Sequence, residues 1–308
     1  MSANSKAVIY AALAGNSLIA VTKFIAGSIT GSSAMLSEGI HSLVDTGNQG
    51  LLLLGIKRAQ QPPDARFPFG YGKEIYFWSF VVAMLIFSIG AGVSLYEGVQ
   101  HVMHPVTMRD PLVNYIVLGL AIVFEGASWA FALNEFRKAK GKWGYLEAVQ
   151  RGKDPSLFMV VFEDSAALLG LLVALLGVSL SHWTANPLYD GVASILIGLI
   201  LAGTALWLAI ETKGLLIGES ANTRVVAGIQ ALAREEPLIE DIHELLTMHM
   251  GPDYVLVNLS VRFDRQASAR DIEFAIARLD KAIKAAFPTI KRIFIEAESY
   301  KGVDGPDH

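Results

Sequence analysis

Residues 75–96 read IYFWSFVVAMLIFSIGAGVSLY, 22 positions without a charge. At 1.5 Å per residue such a run crosses a hydrocarbon layer of about 30 Å, so the stretch places the chain among membrane proteins before any motif is considered. A second charge-free run, GVASILIGLILAGTALWLAI at 191–210, has 20 positions and reads the same way. Four further apolar stretches carry isolated ionisable groups: about 7–28 with Lys23, about 34–56 with Glu38, His41 and Asp45, about 112–134 with Glu125, and about 157–180 with Glu163 and Asp164. The expectation is an all-α transmembrane domain over 1–214, with six helices at about 7–28, 34–56, 75–97, 112–134, 157–180 and 190–210.

Composition agrees. Of 308 residues, 53% are hydrophobic and 18% charged, with a mean hydropathy of +0.43, too apolar for a soluble domain of this length. Residues 1–210 hold 13 Lys/Arg and 13 Asp/Glu; residues 211–308 hold 12 and 16 and so carry the whole net charge of −4. An acidic tail argues against nucleic acid as a partner. With no cysteine, disulfides and thiolate metal ligands are both excluded. The opening MSANSK leads into an apolar run without a small-residue cleavage site, so no removable signal is expected. With the amino terminus placed in the cytoplasm, eleven short-loop cations (Lys6; Lys57, Arg58, Arg66, Lys73; Arg137, Lys138, Lys140, Lys142, Arg151, Lys153) fall on one side and only Arg109 on the other. The positive-inside rule then puts both termini in the cytoplasm.

After Glu211 the pattern changes to that of a soluble domain, expected over 215–308. Val225, Ile229 and Leu232 share a helical face, and Gly251-Pro252-Asp253 is a turn signal after Ile242–Met250. Val255, Val257, Leu259, Val261 and Phe263 alternate as a strand. Ser268 and Asp271 resemble a capping box opening a helix striped by Ile272, Ile276, Leu279 and Ile283, and Arg292–Ala297 makes a last strand. The order αββαβ predicts a small α+β, ferredoxin-like sheet with two helices on one face.

A charged side chain at the middle of a spanning helix costs about 2.5–3.5 kcal/mol, so Asp45, Glu125, Glu163 and Asp164 together cost roughly 10 kcal/mol if unpaired. His41 and Asp45 are four apart and point the same way. Asp45 lies 12 residues before Lys57 and Asp164 lies 10 after Asp154, roughly 18 and 15 Å from one boundary, at matching depth. An imidazole and two carboxylates suit a hard or borderline divalent metal. His41 and Asp45 could instead pair only with each other at a helix contact. Glu125 reads equally as a hydrogen-bonding group or a proton relay. Asn16 and Asn48 read as interhelical hydrogen-bonders, with Asn48 a reserve ligand because it follows Asp45 by three.

HSLVD at 41–45, FGYGKE at 69–74, FEDSAALLG at 162–170, six spans and the αββαβ tail together resemble the cation diffusion facilitator family over nearly the whole chain. The resemblance implies a homodimer that exports Zn²⁺, Mn²⁺, Fe²⁺, Co²⁺ or Cd²⁺ in exchange for protons, with His41 and Asp45 as ligands from the second helix and Asp164 from the fifth. Where the family carries a further His or Asp, four before that aspartate, this chain has Val160. Positions 160, 161, 167 and 168 are all nonpolar, which leaves Glu163, about 100° away on a regular helix, as the candidate fourth ligand. The Glu-Asp pair resembles a divergent subgroup that includes the ninth human zinc transporter. A carboxylate or water replacing an imidazole hardens the site, so Mn²⁺, Fe²⁺ and Co²⁺ stand beside Zn²⁺, the first choice.

Two accessory sites of the family are altered. A loop site of one aspartate and two histidines reads Asp64, Phe67 and Tyr71 here. In the tail, His243, Glu296 and Glu298 match a dimer-bridging metal site, with His249, of equal strand parity to His243, as a substitute for a histidine replaced at Asn258 or Leu259; solvated surface explains them equally well.

The expected function is metal/proton antiport by alternating access through an integral membrane protein, neither an enzyme nor dependent on a cofactor. Metal and protons compete for the same lone pairs, with His41, Glu125 and Glu163 as candidate proton carriers. A metal uniporter or channel, or a membrane-anchored sensor, would use the same ligands. A membrane hydrolase lacks any HExxH or GxSxG arrangement. The absence of a targeting segment suggests a bacterial inner membrane.

Overall fold

The computed structural model describes residues 3–106, 111–140, 144 and 155–298. Arg109, Lys142, Arg151 and Lys153 of the charge count, and Asp154 of the depth argument, lie outside the described residues. The chain divides into two compact units, Met1–Gln61 with Glu74–Lys213, and Pro62–Lys73 with Gly214–His308.

Each of the six apolar stretches lies inside a longer helix: α1 Ala3–Thr30, α2 Ser33–Ala59, α3 Glu74–Met103, α4 Pro111–Lys140, α5 Pro155–Thr184 and α6 Leu188–Ile217. Four of these, α3 to α6, contain segments long and apolar enough to cross a membrane. α2 falls outside that set, its apolar stretch being diluted by His41, Asp45, Asn48 and Gln49. α1 stops at Gly31, whose φ of +73° is open to glycine at little cost. Ser32 then caps α2, its hydroxyl accepting from the Met35 amide at 3.1 Å. This two-residue turn makes α1 and α2 an antiparallel hairpin. α4 and α5 open on proline, which the first helical turn tolerates because its missing N–H has no partner there. A π-helical stretch, Ile86–Ala91, interrupts α3. α3 and α6 meet through small residues: a side chain at Gly98 would run into Ile195, one at Gly191 into Val102, and one at Gly198 into Leu95.

α2 sits at the centre, packed against α1, α3 and α5, while α4 packs on α1 and α5. Its buried side is polar: Ser33, Ser37, Glu38, His41, Ser42, Asp45, Asn48 and Gln49. Around it Leu52, Val82, Ile86, Leu118, Phe158, Leu171, Ile197 and Leu201 form the apolar core.

The second unit has the expected order: α7 Thr223–Glu235, β1 Ile239–Gly251, β2 Tyr254–Phe263, α8 Ala269–Ala286 and β3 Ile290–Ala297. β2 is central, antiparallel to β1 and parallel to β3, with α8 as the crossover that a parallel pair requires. Val255, Val257, Leu259 and Val261 of β2 pack with Ile229 and Ala233 of α7 and with Ala275, Leu279 and Ile283 of α8. The capping box forms as its residues suggest: Ser268 Oγ accepts from the Asp271 amide at 3.3 Å, and the Ser268 amide donates to Asp271 Oδ2 at 3.1 Å.

Candidate metal centre

The site is built on the seam between α2 and α5, which run antiparallel. Asp45 and Asn48 of α2 meet Glu163 of α5, and Glu38, seven residues earlier on α2, meets Gly170, seven residues later on α5. Asn48 Nδ2 donates to Glu163 Oε1 at 2.6 Å. The carboxyl groups of Asp45 and Glu163 lie beside one another across the seam, two groups that only accept when ionised. His41 Nε2 stands 3.4 Å from Asp45 Oδ2 but makes no hydrogen bond.

Asp164 faces α4 instead, where its Oδ2 accepts from Ser128 Oγ at 3.3 Å, and Trp129 Nε1 donates to the neighbouring Ser165 Oγ at 2.8 Å. Glu125, one turn back on the same face of α4, is buried with both carboxyl oxygens unpartnered. The sequence reading set Asp164 beside His41 and Asp45 with Glu163 as candidate fourth ligand; in this structure Glu163 accepts from Asn48 of α2, while Asp164 accepts from Ser128 of α4. The roughly 100° that separates neighbours on a regular helix turns Glu163 to α2 and Asp164 to α4. Among the described residues, no three His, Asp or Glu side chains gather closely enough to hold a metal ion in this conformation. The lone pairs such an ion would collect are present: His41 Nδ1 and Nε2, Asp45 Oδ1, Asn48 Oδ1 and Gln49 Oε1 are all buried without a hydrogen-bond partner.

Several side chains here had no role in the sequence reading. Lys23 of α1 is fully buried and donates to Glu38 Oε2 at 3.0 Å and to Ser42 Oγ at 2.8 Å. Hairpin symmetry could have found this pair: Lys23 lies 8 residues before Gly31, and position 40, between Glu38 and Ser42, lies 8 after Ser32. Ser128 and Trp129 follow Glu125 by three and four, the spacing of one helical face. Asp190 of α6 caps the amino end of α2, accepting from the Ser33 amide at 2.7 Å and from Ser32 Oγ at 2.7 Å, where a carboxylate also complements the helix dipole.

In the loop between α2 and α3, Asp64 accepts from the amides of Arg66 and Phe67 at 2.9 and 2.7 Å and from the Tyr71 hydroxyl at 2.7 Å. The Tyr71 bond, then the Phe67 amide, hold its carboxyl below the usual carboxylate pKa. In the tail, bulges in β1 upset the parity expected of its histidines. His243 is the extra residue of one bulge and is exposed, whereas His249 is buried. Glu296 and Glu298 stand on or just beyond β3, at the other edge of the sheet; Asn258 Nδ2 reaches Glu296 Oε1 at 3.5 Å, and Ser260 Oγ donates to Glu298 Oε2 at 2.5 Å.

Comparison with known proteins bears on this arrangement. The cation efflux transmembrane domain matches residues 9–217. The chain is similar to the mitochondrial proton-coupled zinc antiporter SLC30A9 of Mus musculus and of Homo sapiens, 36% identical in each case over 85% of this chain and 47% of the relative. It is also similar to metal tolerance protein C4 of Arabidopsis thaliana, 28% identical over 85% of this chain and 58% of the relative. This chain thus spans about half the length of the antiporters it matches. The domain match, the apolar helices and the polar seam they enclose make this chain a member of the cation diffusion facilitator family, an integral membrane protein of the cation-efflux type.

Proposed function

We propose that the protein carries a divalent metal cation, zinc first, across a membrane in exchange for protons, and that the α2–α5 seam is the binding site. The observation that carries this reading is the string of buried, unpartnered lone pairs on His41, Asp45, Asn48 and Gln49 beside the Asp45–Glu163 contact. Buried polar atoms without partners are costly in any protein interior, and ionisable ones inside a spanning helix are functional by default. His41, Asp45 and Glu163 hold the cation, Asn48 orients Glu163, and Asp164 joins when α5 moves against α4. Metal and protons compete for the carboxyl lone pairs of Asp45 and Glu163, so the same atoms enforce exchange. Glu125 and His41 are the further proton carriers.

The antiport and the zinc preference are supported by the names of the SLC30A9 relatives. All six long helices span the membrane, α1 presenting exposed apolar Leu18, Val21, Ile25 and Ile29 and α2 being packed among α1, α3 and α5, and the eleven-to-one bias of loop cations puts both termini on the cytoplasmic side. The second unit dimerises two copies. The bacterial inner membrane expected from the sequence draws no support from relatives whose names place them in mitochondria.

The test is uptake of Zn²⁺, Mn²⁺, Fe²⁺, Co²⁺ and Cd²⁺ into proteoliposomes, with and without an imposed pH gradient. Zinc uptake coupled to opposite proton flux is the expected result. Metal flux without proton flux would mean a channel or uniporter, and metal binding without flux a sensor.

A further inference from the structure

Two turns of α2, about 10 Å, separate the Asp45 layer from a second polar layer to which the transport reading gives no task. Lys23 and Glu38 there have 0% of their side chains exposed and pair at 3.0 Å. A buried ion pair is seldom more stabilising than the apolar side chains that could replace it, so helix packing alone does not account for two charges in an apolar hairpin. Nor is the pair complete. Glu38 Oε1 has no hydrogen-bond partner, and it is aimed across the seam at Gly170, where any Cβ would collide with it. A carboxylate kept only for structure would have both oxygens satisfied. This one keeps an oxygen without a hydrogen bond on the seam between α2 and α5, against Gly170.

We propose that Glu38 is a second carboxylate to which the transported divalent cation binds, and that the Lys23 ammonium is a tethered cation that neutralises it while no metal is present. The inference rests on the transport reading above. The geometry orders the steps: Asp45 lies four residues from His41, and His41 three from Glu38, all on the buried side of α2. A cation leaving Asp45 toward the amino end of α2 meets His41 and then Glu38. An ammonium and a divalent ion repel one another, so Lys23 yields when metal arrives. Its flexible four-carbon stem allows this, and Ser42 Oγ, already one of its acceptors at 2.8 Å, keeps it tethered. Lys23 returns when the metal leaves, so Glu38 is never a bare buried carboxylate that would trap the ion.

The full chain is assayed with zinc as the probe, by calorimetric binding in detergent and by uptake into proteoliposomes. Loss of uptake in the parent would sink the transport reading; the binding measurements address Glu38 separately. Lys23→Gln should bind zinc about ten-fold more tightly than the parent while turning over about ten-fold more slowly, since the charge that evicts the ion is gone. Adding Glu38→Gln should abolish the extra affinity. A purely structural pair would weaken binding and turnover together. If Lys23→Gln does not fold, the charge-neutral Lys23→Gln/Glu38→Gln protein decides: turnover reduced at least about five-fold with the parent's zinc affinity supports the second station. Parent-like turnover and KM in that double variant, or parent affinity in a folded Lys23→Gln protein, overturns it.

Discussion

The two units treat buried polar atoms in opposite ways. Of eleven buried side-chain nitrogens and oxygens without a partner among the described residues, ten lie in the membrane unit and one, Asn258 Oδ1, in the second. In the second unit Asp64 gathers three donors, Ser268 and Asp271 cap each other, and Arg278 forks onto Glu236 through two hydrogen bonds. These polar groups are closed. Along α2 and the facing side of α4 such groups stay open, in the part of the molecule where an open group is most expensive. Under the proposed function, the open lone pairs on ionisable side chains are where cation and protons exchange, and the closed ones hold shape.

The contrast is broken most directly at its open end. Removing the carboxylate that joins both helices, by Asp45→Ala or Glu163→Gln, should lower zinc kcat/KM by about a hundred-fold in proteoliposomes, whereas Asp164→Asn should cost only about ten-fold. The reverse ranking would return Asp164 to the centre of the site. Gly170→Ala drives a methyl group into Glu38 Oε1 and should destabilise the protein by about 1–3 kcal/mol, read as a lower Tm in detergent. At the closed end, Ser268→Ala removes one half of the capping box and should cost about 1 kcal/mol, with zinc uptake unchanged.

The smallest effect is on acid sensitivity. Because the folded protein holds the Asp64 carboxyl below its ordinary value, its contribution to stability is present above the usual carboxylate range and is lost as pH falls through the folded value. Tyr71→Phe removes the largest cause of that depression. The fall in Tm between about pH 7 and pH 3 should therefore be smaller in the variant than in the parent.

How much of this was legible beforehand differs between the units as well. The strand from Val255 to Phe263 and the capping box at Ser268 were readable because alternation and capping are local rules, decided within a few residues. The histidines of β1 were misjudged for the complementary reason: parity is local, but the bulge that places His243 outward and His249 inward is set by pairing with β2. Each helix outran its apolar stretch by a few residues, since backbone hydrogen bonding continues past the point where side chains turn polar.

The sequence by itself determined that apolar runs must be helices, that His41 and Asp45 share a face, and that charges buried among them need a reason. Only the tertiary structure decided which acid of the Glu163–Asp164 pair meets Asp45, that Lys23 closes on Glu38, and that Gly170 makes room for it. Spacing within one helix follows from 3.6 residues per turn and is written in the chain, whereas the rotation of one helix against another is chosen by the packing of all of them together.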